Sequence, residues 1–227
     1  FDLLILGFML SLISGDLGLT TGQAGSLVTW TLVGAVIGGF IFGTLSDKFG
    51  RVRVLTWTIV LFAIFTGLCA FAQGYWDLLI YRTIAGIGLG GEFGIGMALA
   101  AEAWPAQHRA KATSYVAIGW QLGVLAAALL TPVLLPYIGW RGMFMVGIIP
   151  AFVAWFFRAK LHEPEIFVQS KETKEHSHTN SFKLLVKDVR TTKTSIGVAI
   201  LTSVQNFGYY GIMIWLPNFL SKQLGFS

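Results

Sequence analysis

Charge is scarce in this sequence. Only 12% of its 227 residues are Asp, Glu, Lys or Arg, whereas a soluble domain carries about a quarter. Residues 25–45, 55–73, 113–135 and 194–215 contain none at all. Each of these stretches is near the ~20 residues a helix needs to cross the hydrocarbon of a bilayer. Cysteine is scarcer still: Cys69 stands alone, so it forms no internal disulfide and is expected to be a packing thiol. His176 and His178 lack any further ligand cluster, which argues against a metal site and against a membrane-embedded metalloenzyme. A clustered nucleophile set is also missing. No filter-like polar loop is present, which argues against a channel. No basic region precedes the first apolar run, so a signal peptide does not fit.

What the sequence has instead is apolar length, with 55% hydrophobic residues. Residues 142–158 form a shorter run ending on Arg158, a side chain able to snorkel to the interface. Residues 76–100 are long and apolar but hold Asp77, Arg82 and Glu92. Residues 1–14 make a shortened run that rises only about 21 Å as a helix. One such run suits a buried soluble helix. Six or seven predict an all-α polytopic membrane bundle. The sequence opens inside an apolar helix without Met and stops soon after a run. It is therefore expected to be truncated at both ends, with about as much chain again in the whole protein.

The basic residues set a topology. Alternating loops place 46–54, 101–112 and 158–193 on one side, and these hold nearly all the Lys and Arg, leaving only Arg141 and Lys222 opposite and Arg82 within a run. The positive-inside rule makes the basic side cytoplasmic, and a cell (inner) membrane is the expected location. The net charge of +5 is then a topology signal. Those loops carry few aromatics, so no nucleic-acid partner is expected. Around Lys171–Asn180 the long loop is polar and reads as a solvated linker. Phe182 to Val189 fits a short amphipathic helix on the inner surface. The expected organisation is a six-helix bundle over 1–158, a cytoplasmic linker over 159–193, and a truncated first helix of a second bundle over 194–227. Two such six-helix halves would face each other across a central cavity.

Between the second and third runs lies Gly43-Thr-Leu-Ser-Asp47-Lys-Phe-Gly50-Arg51-Val-Arg53. Gly43 allows close helix approach, Asp47 sits at a helix end where backbone dipoles act, and Gly50 permits a tight turn. After the fourth run, Pro105 breaks the helix between Glu102 and Arg109. Glu102 and Arg109 are placed to pair with the 46–53 loop, as a latch or as a solvated turn. The fourth run contains G-x-G-x-x-G at Gly86, Gly88 and Gly91. A dinucleotide site would need a preceding strand, so helix contact is the better reading. Gly86, Gly90 and Gly94 recur every four residues, as do Gly34, Gly38, Gly39 and Gly43 in the second run and Gly119 and Gly123 in the fifth.

Asp2, Arg82 and Glu92 are the charges within runs. Each is solvated if it lies near an interface, and is paired or proton-binding if it lies deep. Arg82 and Glu92 are separated by about 15 Å of helical rise, too far for direct pairing. A desolvated carboxylate can exchange protons near neutral pH. Asp2 and Glu92 are therefore candidate proton-coupling residues, with Arg82 as counter-charge or substrate anchor. Trp120 and Gln121 on the fifth run, and Gln205, Asn206 and Tyr209 on the seventh, are candidate lining of a polar, aromatic cavity. Interhelical hydrogen bonding is the alternative.

These motifs, with Gly139-Trp140-Arg141 and Glu163-Pro164-Glu165, resemble the major facilitator superfamily over essentially the whole chain. Gly91-Glu92 with Glu102-Ala-Trp104-Pro105 and Arg109 is similar to bacterial metabolite–proton symporters of the sialic-acid and aromatic-acid kinds. The fifth run lacks the Gly-Pro of drug–proton antiporters. The resemblance implies proton-coupled uptake of a small carboxylate by alternating access, in a monomeric carrier driven by the proton gradient without a cofactor. It also implies that Gly43, Asp47, Gly50, Arg51, Arg53, Glu102 and Arg109 form a cytoplasmic gate. A sugar or drug carrier of the same superfamily and a non-translocating sensor are the alternatives.

Overall fold

The structure is a computed structural model that describes residues 1–158, 187–212, 216, 219 and 220. Residues 159–186 of the expected linker over 159–193, His176, His178, most of the expected amphipathic segment and Lys222 lie outside the described residues, as does the side chain of Arg158. The chain divides into two compact units, Phe1–Lys171 and Glu172–Ser227. Among the described residues the regular structure is helical: α1 (Asp2–Asp16), α2 (Thr21–Phe49), α3 (Arg51–Cys69), α4 (Tyr75–Ala103), a 3-10 turn (Ala106–His108), α5 (Arg109–Arg158) and α6 (Val189–Tyr210).

Four helical segments among the described residues are long and apolar enough to cross a membrane: Thr21–Phe49, Arg51–Cys69, Tyr75–Ala103 and Ala106–Phe156. The last holds two expected runs, 113–135 and 142–158. They are separated not by a loop over 136–141 but by a single break at Gly139, whose φ of 62° and ψ of −179° leave the helical region. A positive φ of that size is where glycine carries no Cβ penalty. The expected loop at 46–54 also shrinks to one residue. Gly50, at φ 109°, ends α2 and starts α3. Thr20 begins α2 through a reciprocal capping box with Gln23.

In the first unit, α4 packs mainly against α2 and α3, and α5 reaches α3, α1 and α4. Helices α2 and α4 run parallel, since Ser26 Oγ meets Tyr75 Oη at 2.8 Å near their starts and Phe42 lies beside Gly91 further on. Glycine sets how close they come. A Cβ on Gly38 would overlap the Ile87 carbonyl, and one on Gly90 the Ala35 carbonyl. Gly34 and Gly86 make the same close approach to Thr83 and Thr31. The seam does not extend as far as the repeat suggested. Nothing lies within 4 Å of a Cβ on Gly43, Gly94 or Gly119, because the helices are no longer in backbone contact there. On the other side of α4, Gly88 accepts α3, with Thr58 O at 2.8 Å from its Cβ position. Ile59, Phe62, Ala85 and Ala151 form a core shared by α3, α4 and the second limb of α5. Leu4, Ile5, Leu6, Met9, Leu10 and Ile13 bury α1 on several sides. The outward faces are apolar instead of charged, with Val36, Phe40, Leu125, Leu129, Val133 and Phe152 exposed. A surface of this kind suits acyl chains, not water.

In the second unit, α6 starts at Val189, five residues before the expected run at 194. Asp188 caps it, accepting from the Thr191 backbone N–H at 2.9 Å. That backbone bond, with the Thr191 hydroxyl, holds the Asp188 carboxyl below its ordinary range.

The seam predicts a graded response to alanine. Gly38→Ala and Gly90→Ala are expected to lower stability by about 1–3 kcal/mol through overpacking against backbone. Gly43→Ala and Gly94→Ala are expected to be near neutral. Thermal unfolding of the detergent-solubilised full-length protein measures the difference.

Candidate functional site

The deepest charges in the first unit come from two helices that sequence keeps 80 residues apart. Arg82 of α4 is 0% exposed and Asp2 of α1 is 4% exposed. Arg82 Nη1 donates to Asp2 Oδ2 at 2.8 Å. Neither charge is solvated at an interface, and Arg82 has found a partner other than Glu92. The Phe144 ring of α5 lies 5.7 Å from the guanidinium carbon, within the range of cation–π attraction. Cys69 of α3 stands beside the guanidinium and donates its thiol to the Phe65 carbonyl at 3.2 Å.

Asp2 is also among the residues lining a cleft of about 320 Å³, although its side chain is only 3% exposed. Its walls come from Leu3 of α1, Phe62 of α3, Leu89 and Glu92 of α4, and Trp120 and Ala151 of α5, among others. The cleft thus brings together Asp2, Glu92 and Trp120, with Arg82 one bond behind Asp2. Glu92 is half-buried. Trp120 meets Phe93 edge-on, with ring centroids 6.4 Å apart. Gln121 is exposed and is not part of the cleft wall. Gln205, Asn206 and Tyr209 lie on α6 of the second unit, where Asn206 Nδ2 donates to the Thr202 carbonyl at 2.9 Å.

Two polar clusters mark the ends of the first unit. At one end Arg51 joins α2, α3 and α4. Its Nη1 donates to Asp47 and to Ser46 Oγ, and its Nε and Nη2 reach the Glu102 carboxylate at 3.2 Å and 3.0 Å. Glu102 and Asp47 together neutralise the partly buried Arg51 charge. Arg53 is exposed, and Arg109 donates to the Trp104 carbonyl, not to the 46–53 segment. Gly43 contacts nothing there that a Cβ would meet.

At the other end Asp16, which ends α1, accepts from Arg141 Nη1 at 2.7 Å and from Trp140 Nε1 at 3.0 Å. Arg141 stacks on the Trp140 ring at 4.1 Å and also donates to the Ala72 carbonyl. Sequence reasoning did not single out Asp16. A lone acid in a short loop carries no pattern, and only its meeting with Gly139-Trp140-Arg141 reveals it. Phe144, Thr66 and Gly147 around the buried pair were missed for the same reason.

Comparison with known proteins places this geometry. The family model described as Major Facilitator Superfamily matches residues 1–227. A Haemophilus influenzae protein named for metabolite transport, with no substrate in its name, is 78% identical over 100% of this chain and 57% of its own length. The cis,cis-muconate transport protein of Acinetobacter baylyi is 34% identical over 99% of this chain and 55% of its own length. Among solved structures, the proton:xylose symporter XylE of E. coli matches with a TM-score of 0.64 at 26% identity, over 77% of this chain and 44% of that one. The chain spans about half the length of the curated relatives it matches.

The Arg141 and Trp140 hydrogen bonds hold the Asp16 carboxyl below its ordinary value. The bond is therefore fully present above the unfolded carboxylate value and is lost only as pH falls through the lowered one. Exchange of the Trp140 indole proton is expected to stay constant from about pH 8 down to about pH 5, apart from intrinsic chemistry, and to accelerate severalfold in Asp16→Asn at neutral pH. Side-chain NMR of labelled tryptophan reads both.

Proposed function

The chain belongs to the major facilitator superfamily, and from that premise we propose that it forms the first half, and the start of the second, of a secondary active transporter. The transporter imports a small organic anion together with protons by alternating access. The carrying observation is the buried Asp2–Arg82 pair at the wall of a cleft that Glu92 also lines. An ionisable carboxylate held in apolar surroundings is the physical requirement for proton coupling, because adding a proton changes the energy of a buried charge by several kcal/mol.

In this reading Asp2 and Glu92 take up and release protons. Arg82 is the counter-charge that substrate reaches once Asp2 is neutral. Trp120 forms an aromatic wall, and Gln121, Gln205, Asn206 and Tyr209 supply further substrate contacts as the halves rock. The Arg51 cluster, with Asp47, Glu102, Gly43, Gly50, Arg53 and Arg109, acts as the cytoplasmic gate. The basic residues flanking it support placing that end inside a cell (inner) membrane. The Asp16–Arg141 end is then external. The driving force is the proton gradient, no cofactor takes part, and the full-length carrier works as a monomer. Carboxylate as the substrate class is supported by the muconate relative and by the fixed positive charge of Arg82 near the cleft.

The test uses full-length protein in proteoliposomes, with a pH gradient and a panel of organic acids and sugars. A carboxylate is expected to be accumulated with inward proton movement, and sugars are not. Glu92→Gln is expected to reduce proton-driven accumulation by about tenfold or more while leaving substrate exchange partly intact. Uphill uptake at the normal rate in that variant removes Glu92 from coupling, and accumulation of a sugar alone overturns the substrate class.

A further inference from the structure

Helix α1 carries an acid at each end, Asp2 as its first residue and Asp16 as its last, about 21 Å apart along the helix. The second limb of α5 links the two. Trp140 is buried and donates its Nε1–H to Asp16 Oδ2 at 3.0 Å. One turn further on, Phe144 is fully buried, and its ring meets Trp140 edge-on with centroids 6.0 Å apart. The Arg82 guanidinium carbon lies over the Phe144 ring at 5.7 Å, and Arg82 Nη1 donates to Asp2 Oδ2. The contacts thus form an unbroken row from one end of α1 to the other. At the Asp2 end, hydrogen bonds alone do not fix the guanidinium. Arg82 holds Asp2 through Nη1, while Nε and Nη2 are buried without a hydrogen-bond partner. A single bond sets a distance but lets the guanidinium plane swivel, unlike the bidentate fork of many arginine–carboxylate pairs. What packs against the guanidinium then decides its orientation. Cys69 borders it from α3 with a small thiol. Phe144 borders it from α5 with a ring face that also attracts a cation.

We propose that Phe144 is a positioning residue that holds Arg82 on Asp2, and that Asp16 sets the place of Phe144 by fixing Trp140. The polar cluster at the Asp16 end and the buried ion pair are then one mechanical unit. While the Asp16–Trp140 bond is closed, the two aromatic rings back the guanidinium and keep it turned to Asp2. Arg141 stacks on the Trp140 ring at 4.1 Å and bonds Asp16, so it clamps the indole there. Opening that cluster frees the indole, then the Phe144 ring, and Arg82 can turn its unbonded donors to another acceptor. Neither Phe144 nor Trp140 lines the cleft, so both act only through Arg82. That the other acceptor is a substrate carboxylate rests on the role given to Arg82 above. The positioning of Arg82 does not.

The experiment is nitrogen-15 NMR of the arginine side chains in full-length protein in lipid nanodiscs, without substrate. The Arg82 signal is the one that Arg82→Lys removes. The rate at which its two terminal nitrogens exchange places reports how firmly the guanidinium is held. Phe144 is replaced by phenylalanines bearing one, two or three ring fluorines, which weaken the ring face with little change of shape. The exchange is expected to quicken stepwise along that series, by about twofold or more at three fluorines. Trp140→Phe keeps a ring beside Phe144 but deletes the N–H that Asp16 accepts. Asp16→Ala deletes the acceptor at an exposed position and leaves the indole intact. Each is expected to quicken Arg82 exchange by about twofold or more, from a site that does not touch Arg82. Equal rates along the fluorine series overturn the role of Phe144. The natural rate in Asp16→Ala overturns the link to the far end of α1. Either failure leaves the transport reading standing, because the measurement involves no transport.

Discussion

A guanidinium and a carboxylate buried among apolar helices constrain everything around them. Either charge alone at the centre of a membrane helix costs about 2.5–3.5 kcal/mol on insertion scales. Removing one partner from a buried pair costs about 3–5 kcal/mol. Asp2 and Arg82 therefore require each other, and their contact fixes α1 against α4 across 80 residues of sequence. Phe144 from the second limb of α5 lies against the same guanidinium, so α5 must fold back at Gly139 to deliver it. The parallel seam of α2 and α4, made possible by Gly34, Gly38, Gly86 and Gly90, gives α4 a fixed wall on the opposite side. The pair is thus held by three helices, and α4 is braced by a fourth.

Under the proposed function, the same constraint is what lets the unit switch. At both ends, polar clusters tie helices with exposed or half-buried groups, at Arg51–Glu102 and at Asp16–Arg141. Pairs within reach of solvent are screened and contribute little each to stability. The buried pair is different, because a proton on Asp2 would turn an ion pair into a contact between a charge and a neutral acid. Under the proposed function, that proton is the event that biases two arrangements of the protein. A ligand shifts such an equilibrium only by its differential affinity for the two states. A carboxylate that competes with Asp2 for Arg82 would have that difference built in.

Much of the fold was legible in one dimension. Charge-free runs of bilayer length marked α2, α3 and the first limb of α5, and long or shorter apolar runs marked α4 and the second limb. The glycine repeats marked the seam, although Gly43 and Gly94 sit where the helices have already parted. Loops were read as longer than they are, since a single glycine at positive φ does the work expected of several residues at Gly50 and Gly139. The start of α6 moved upstream because a capping aspartate, not hydropathy, decides where that helix begins. The site was legible as residue types but not as pairs. Asp2 and Arg82 stood out as charges in apolar runs, yet helical spacing informs only on neighbours within one helix. Thr66 and Gly147 gave no signal, because a threonine and a glycine in apolar helices are ordinary until a carboxylate is placed between them.

The most direct test of the central constraint is a double-mutant cycle on Asp2 and Arg82 in the full-length protein, read by unfolding in detergent. Arg82→Met alone is expected to lose about 3–5 kcal/mol, because it leaves a buried carboxylate without its partner. Asp2→Asn combined with Arg82→Met is expected to recover a large part of that loss, giving a coupling energy well above the ~0.5 kcal/mol of independent sites. If the two single losses simply add, the ion pair does not hold α1 to α4, and the account of this protein built on it is wrong.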